Sequence, residues 1–162
     1  MLSQFSVFGF SGSRSCQLSV SAAAALASQV PAGSQVVVGC ARGVDQCIRQ
    51  QFPAAQVFTA SGSFPGQLAA RSAAMVRQVV SSSGLLVAFP ASGSVCPAGV
   101  RPGAAFSGGG SGTWASVALA VQLGGAVLVW SSGPVPVWLS SRGSYHQGFW
   151  FVPAVSVQGS LF

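Results

Sequence analysis

Short apolar runs recur along the chain, each closed by Gly, Pro or Ser, and between them apolar residues fall at helical spacing. Phe5–Phe10 reads as a strand and Ser11–Ser15 as the loop after it. Leu18–Val30 is an Ala-rich helical pattern ended by Pro31-Ala-Gly33. Gln35–Val38 is a continuous apolar run, as expected of a strand covered on both faces. Val44–Phe52 predicts a helix, Gln56–Thr59 a third strand, and Gln67–Ser82 a helix with Leu68, Met75 and Val79 on one side. Leu85–Phe89 predicts a fourth buried strand, Thr113–Leu123 a helix and Ala126–Trp130 a fifth strand. Ala91–Ser111 is a long Gly/Ser/Pro-rich loop.

Strands alternating with helices predict a parallel α/β sheet with right-handed crossovers. The expected architecture is a three-layer Rossmann-like open sheet with helices on both faces. The regular alternation ends at Trp130. Residues 133–139 and 148–152 look like short strands around a Ser/Gly/Tyr/His loop, either a hairpin on the sheet edge or an assembly arm. Residues 1–130 therefore form the expected core and 131–162 a C-terminal β extension of the same domain.

Composition narrows the chemistry. Half of the 162 residues are hydrophobic and 5% are charged, against about 25% in an ordinary soluble domain. The charged set is seven Arg and Asp45, with no Lys and no Glu, and the formal net charge is +6. General acid–base catalysis needs carboxylates, His or Lys, so most hydrolytic and acid–base enzymes are disfavoured. One His and one Asp cannot build an ordinary zinc site with Cys16, Cys40, Cys47 and Cys96, which lack CxxC spacing. The four cysteines are expected to be free and buried. Positive charge carried by Arg alone suits bidentate contact with phosphate.

Val20–Ala27 lacks the basic n-region of a signal peptide. Trp114–Trp130 is short for a membrane span and is broken by Gly124-Gly125, so a helix, a turn and a buried strand fit it. The expected location is cytoplasmic, with no membrane partner.

In an open parallel sheet, ligands bind outside the carboxyl ends of the strands. Candidate ligand-binding residues at such ends are Ser13 and Arg14 after the first strand, Gly39, Arg42, Gly43 and Asp45 after the second, and Ser92 after the fourth. Gly110, Ser111, Gly112 and Thr113 lead into the last helix. A Gly-rich turn opening a helix offers free N–H groups and the positive end of the helix dipole, which together suit an anion. Trp114 follows that turn and is read as core, with stacking on a base as the alternative. His146 is read as a surface residue.

These loops occur in an order that resembles the SMF/DprA–LOG (SLOG) superfamily. The resemblance rests on Gly12-Ser-Arg14, Gly39-Cys-Ala-Arg-Gly-Val-Asp45, Ala69-Ala-Arg-Ser-x-x-Met75, Val87-Ala-Phe-Pro90 and Gly110-Ser-Gly-Thr113, and runs from about Phe5 to Trp130. It implies a Rossmann-like domain that holds a nucleotide or nucleotide-derived ligand, or single-stranded DNA in its DprA branch. Arg71 matches the family's helix Arg, and Ser72 stands where Asn often follows it. The LOG enzymes, which look like phosphoribohydrolases, carry a Glu three residues after the Gly-Thr pair. Ser116 occupies that position here, so no catalytic residue is assigned.

The resulting expectation is a nucleotide-binding sensor or accessory DNA-processing factor, with a bound nucleotide as its one candidate cofactor. A self-assembling protein on a degenerate Rossmann core and a DprA-like single-strand binder are the alternatives. A hydrolase built on Asp45 ranks last. The low charge and the apolar C-terminal segment also predict a homo-oligomer.

Overall fold

The structure, a computed structural model, describes residues 1–106 and 111–156. Seven strands form one sheet: β1 Val7–Gly12, β2 Gln35–Gly39, β3 Gln56–Phe58, β4 Leu85–Phe89, β5 Ala126–Trp130, β6 Ser144–His146 and β7 Phe149–Val152. Their order across the sheet is β3-β2-β1-β4-β5-β7-β6. The first five pair in parallel, while β7 runs antiparallel to both β5 and β6. The expected Rossmann-like α/β architecture is present.

Four helices make the crossovers: α1 Gln17–Ala27, α2 Val44–Gln51, α3 Pro65–Ser81 and α4 Gly112–Gln122. The two faces of the sheet carry separate cores, which is why the central strands read as unbroken apolar runs. Phe8, Phe10, Val38, Leu85, Val87 and Phe89 pack with Ala23, Leu26, Val44 and Ile48 of α1 and α2. Val37, Leu86, Val127 and Val129 pack with Val76 and Val79 of α3 and Trp114, Val117 and Ala120 of α4. Helix α4 is buried from Thr113 to Val121 except at Ala115, consistent with a helix that is apolar all round. Each fully buried Phe or Leu contributes about 1.5–3 kcal/mol of transfer free energy.

The chain moves outward from β1 through β2 to β3, then returns to β4 on the other side of β1. The carboxyl ends of β1 and β4 thus flank the point where strand order reverses, the usual ligand position in such sheets. Among the described residues, no helix is long and apolar enough to cross a membrane.

Two expectations change. Residues 133–139 do not form a strand. Pro134 and Pro136 lack the N–H that a strand ladder needs, and Pro136 instead caps a short helix, α5 Val137–Ser140, whose Leu139 is buried. The C-terminal hairpin is β6–β7, placed on the sheet by pairs Val127↔Val152 through Trp130↔Phe149. The four cysteines are free, but none is buried: Cys40 is exposed and the other three are partly covered.

Candidate functional site

The site is assembled where three loops interlock at the carboxyl end of the sheet. Ser13 N–H donates to the Phe89 carbonyl at 2.9 Å, and the Ser13 carbonyl accepts from Val44 N–H at 3.0 Å. Ser13 Oγ also accepts from Cys16 N–H at 3.0 Å, supporting the start of α1. One residue thereby ties together the loops after β1, β2 and β4. Gly43 is required for this arrangement. Its φ is +70°, and a Cβ there would collide with the Ser13 carbonyl and the Arg14 backbone.

Asp45 lies in the first turn of α2 and is 5% exposed. Its Oδ2 accepts from Ala41 N–H at 3.2 Å and lies 3.7 Å from Arg71 Nη1. Arg49, also on α2, donates from Nη1 to the carbonyls of Gly39 at 2.8 Å and Ala41 at 2.9 Å. The loop after β2 is therefore clamped by one carboxylate and one guanidinium from the helix it leads into. Gly39 permits the arrangement, because a Cβ there would lie 2.5 Å from Asp45 Oδ2 and 2.7 Å from Arg71 Nη1.

Burial pushes the Asp45 carboxyl above its ordinary value, and this outweighs the pull of Arg71, the Ala41 N–H, Arg49 and Arg14 in the other direction. The Arg71 side chain is 8% exposed. It donates from Nη1 to Cys40 Sγ at 3.3 Å and from Nη2 to Ser72 Oγ at 3.2 Å. Its Nε is buried and has no acceptor among the described residues. A buried donor left unpaired costs about 1–3 kcal/mol, more for a charged group, so this guanidinium has unused binding capacity.

A cavity of about 510 Å³ opens beside this pair. The end of β1 contributes Ser11 and Gly12, the following loop Arg14, and the β2–α2 region Ala41 and Asp45. Ser63, Pro65, Leu68, Arg71 and Ser72 come from α3 and the turn before it. Phe106 completes the lining together with Ser111, Gly112 and Thr113 at the start of α4. Ser111 caps that helix, its Oγ accepting from Trp114 N–H at 3.3 Å. The first turn of α4 presents N–H groups that a helix cannot satisfy internally. The cavity thus joins guanidinium groups, hydroxyls and a helix N-terminus to an apolar side made by Pro65, Leu68 and Phe106.

Of the residues expected from the sequence, Arg14, Asp45, Arg71, Ser111, Gly112 and Thr113 line this cavity. Ser13, Gly39 and Gly43 do not line it; they build the loops that shape it. Arg42 is exposed and outside the lining. Ser92 is also outside: its Oγ pairs with Ser132 Oγ at 3.0 Å and its N–H donates to Cys16 Sγ at 3.3 Å. Gly110 lies outside the described residues. Ser116 is fully buried, and its Oγ donates to the Gly112 carbonyl at 2.9 Å, which closes a turn of α4. Trp114 is 1% exposed and belongs to the core, so it presents no face for stacking.

Phe106, Leu68, Pro65 and Ser63 were missed. Their one sequence signal is position, at the end of the long loop before α4 and at the start of α3. Comparison of the chain with protein-family models, with curated proteins and with solved structures found no match.

Proposed function

We propose that this chain binds a nucleotide or nucleotide-derived ligand in the cavity between β1, α3 and α4, with the phosphate held between Arg71 and the first turn of α4. The observation that carries this reading is Arg71, which lines the cavity with a side chain only 8% exposed and an Nε–H that has no acceptor among the described residues. An anionic oxygen is the acceptor best matched to that donor. The α4 N-terminus in the same lining adds N–H groups and a favourable dipole, and the exposed Arg14 adds charge. Phe106 with Leu68 offers an apolar surface for a planar base, while Ser63 and Ser72 suit sugar hydroxyls. The SLOG-like order of the loops supports the same ligand class.

The arrangement favours binding over turnover. Asp45, the one carboxylate among the side chains, already supports Ala41 N–H and pairs with Arg71. The hydroxyl at the position of the LOG-type Glu is spent inside α4. The role that fits is a sensor or an accessory factor in nucleic-acid processing.

Native mass spectrometry of gently purified protein tests the proposal. The expected result is a subunit carrying an extra mass of nucleotide size, released on denaturation and absorbing near 260 nm. Subunits that stay bare after incubation with a panel of nucleotides would overturn it. A short single-stranded oligonucleotide belongs in that panel, since binding that weakens steeply with salt would indicate a strand rather than a small ligand.

One observation favours self-association as a second property. Strand β6 lies at the sheet edge with all three residues exposed, Tyr145 among them at 57%. Open edges pair readily with a second chain, and the same spectrum reports the subunit count.

A further inference from the structure

The cluster at the end of β2 contains one group that the proposed binding mode leaves idle, the thiol of Cys40. The thiol is exposed, yet it rests on a guanidinium that is itself nine-tenths buried: Arg71 Nη1 donates to Cys40 Sγ at 3.3 Å. Arg71 also lines the cavity, and its buried Nε–H has no acceptor among the described residues. Cys40 and the cavity therefore share one cation. Burial raises the thiol's pKa, but the Ala60 N–H and the charge and hydrogen bond of Arg71 lower it further, and the net displacement is downward.

The other cysteines provide internal references. Cys96 faces the carbonyls of Pro97 and Val100 with no cation beside it, and burial pushes its thiol up. Cys16 is activated by Ser19 and by the Ser92 N–H, neither of which lines the cavity.

We propose that Cys40 is a modification site for peroxides, and that its oxidation regulates ligand binding at Arg71; the regulatory half rests on the function proposed above. The Cys40 thiolate attacks one oxygen of hydrogen peroxide. An S–O bond forms, the O–O bond breaks, and the leaving hydroxide takes a proton to become water. The sulfur loses two electrons and the peroxide gains them, leaving a sulfenic acid that a thiol can reduce. The new oxygen enters a 3.3 Å contact. Arg71 must either shift or turn toward the sulfenate, and either response moves the guanidinium from its resting position beside the cavity.

The test uses the full chain, hydrogen peroxide and the sulfenic-acid trap dimedone, with each cysteine quantified by peptide mass spectrometry. Cys40 should be labelled several-fold faster than Cys96, because a guanidinium contact and exposure favour its thiolate while burial disfavours that of Cys96. Arg71→Gln should slow Cys40 and narrow the difference between the two rates. Saturating the wild type with adenosine monophosphate should slow Cys40 several-fold and leave Cys16 unchanged, a readout that needs no variant. Peroxide should weaken adenosine monophosphate binding to the wild type and spare Cys40→Ser. Equal labelling of Cys40 and Cys96 would overturn the modification site. Equal loss of binding in wild type and Cys40→Ser would overturn its regulatory role. Selective Cys40 oxidation in a chain that binds no nucleotide would uphold the modification site while removing both the regulation and the proposed function.

Discussion

Arg71, projecting from α3, meets Asp45, projecting from α2, at 3.7 Å across the end of β2. The two helices lie on opposite faces of the sheet, and the pair passes over Gly39, where a side chain would occupy the space of both groups. This contact therefore joins the two helical layers beside the cavity. Breaking a buried pair by deleting one partner costs about 3–5 kcal/mol, because the survivor is left uncompensated.

Gly39→Ala should destabilise the fold by about 1–3 kcal/mol, the range for overpacking a tight site. Urea denaturation would show a lower midpoint with an unchanged slope. A wild-type midpoint would mean that the pair can move aside at no cost.

Gly43→Ala should also destabilise, through strain rather than crowding alone. At φ +70° and ψ −123° a non-glycine residue costs about 1–3 kcal/mol, and the new Cβ meets the backbone of Ser13 and Arg14. Thermal unfolding should show a lower midpoint, whereas Gly93→Ala, strained by its φ of +74° but with open space around it, should lose less.

The raised pKa of Asp45 predicts a pH dependence. The folded chain holds the Asp45 proton more tightly than the unfolded one, so the associated stability is complete below about pH 3.9, the ordinary carboxylate value. It is lost as pH rises through the higher folded value. The stability of wild type relative to Asp45→Asn should therefore fall as pH increases from that range. A relative stability that rises with pH would show that the ion pair outweighs burial.

Leu139→Ala should cost about 2–5 kcal/mol. Leu139 is fully buried in the same core as Val152 and Val129, so the segment after Trp130 is a structural layer of the sheet. Removal of residues 131–162 should yield unfolded protein by circular dichroism, since β5 would lose its β7 partner. A folded truncation would mean that the hairpin is dispensable.

The parallel strands were legible because burial on both faces leaves an unbroken apolar run, as in Leu85–Phe89 and Ala126–Trp130. Residues 133–139 were misread because Val135, Val137 and Leu139 alternate as a strand would, while the intervening Pro134 and Pro136 set a different backbone. Arg71 and Asp45 could be singled out by type, being charges in a chain almost without them. Their meeting could not, since it depends on two helices converging from opposite faces. Leu68 was legible as a helix position but not as cavity lining, and Phe106 reaches the cavity from the long loop before α4. Cys40 looked like a small core residue, and its exposure follows from its place just beyond the end of β2.

The most direct test of the central claim is a calorimetric titration with adenosine monophosphate of wild type, Arg71→Gln and Arg42→Ala, each first shown to be folded. The expected result is saturable one-site binding to wild type, weakened at least about tenfold in Arg71→Gln, as loss of a charge-assisted hydrogen bond of about 1.5–3 kcal/mol requires. Arg42→Ala, exposed and outside the lining, should bind as wild type does. Equal affinity in wild type and Arg71→Gln, or a loss confined to Arg42→Ala, would contradict the assignment of this cavity as the ligand site.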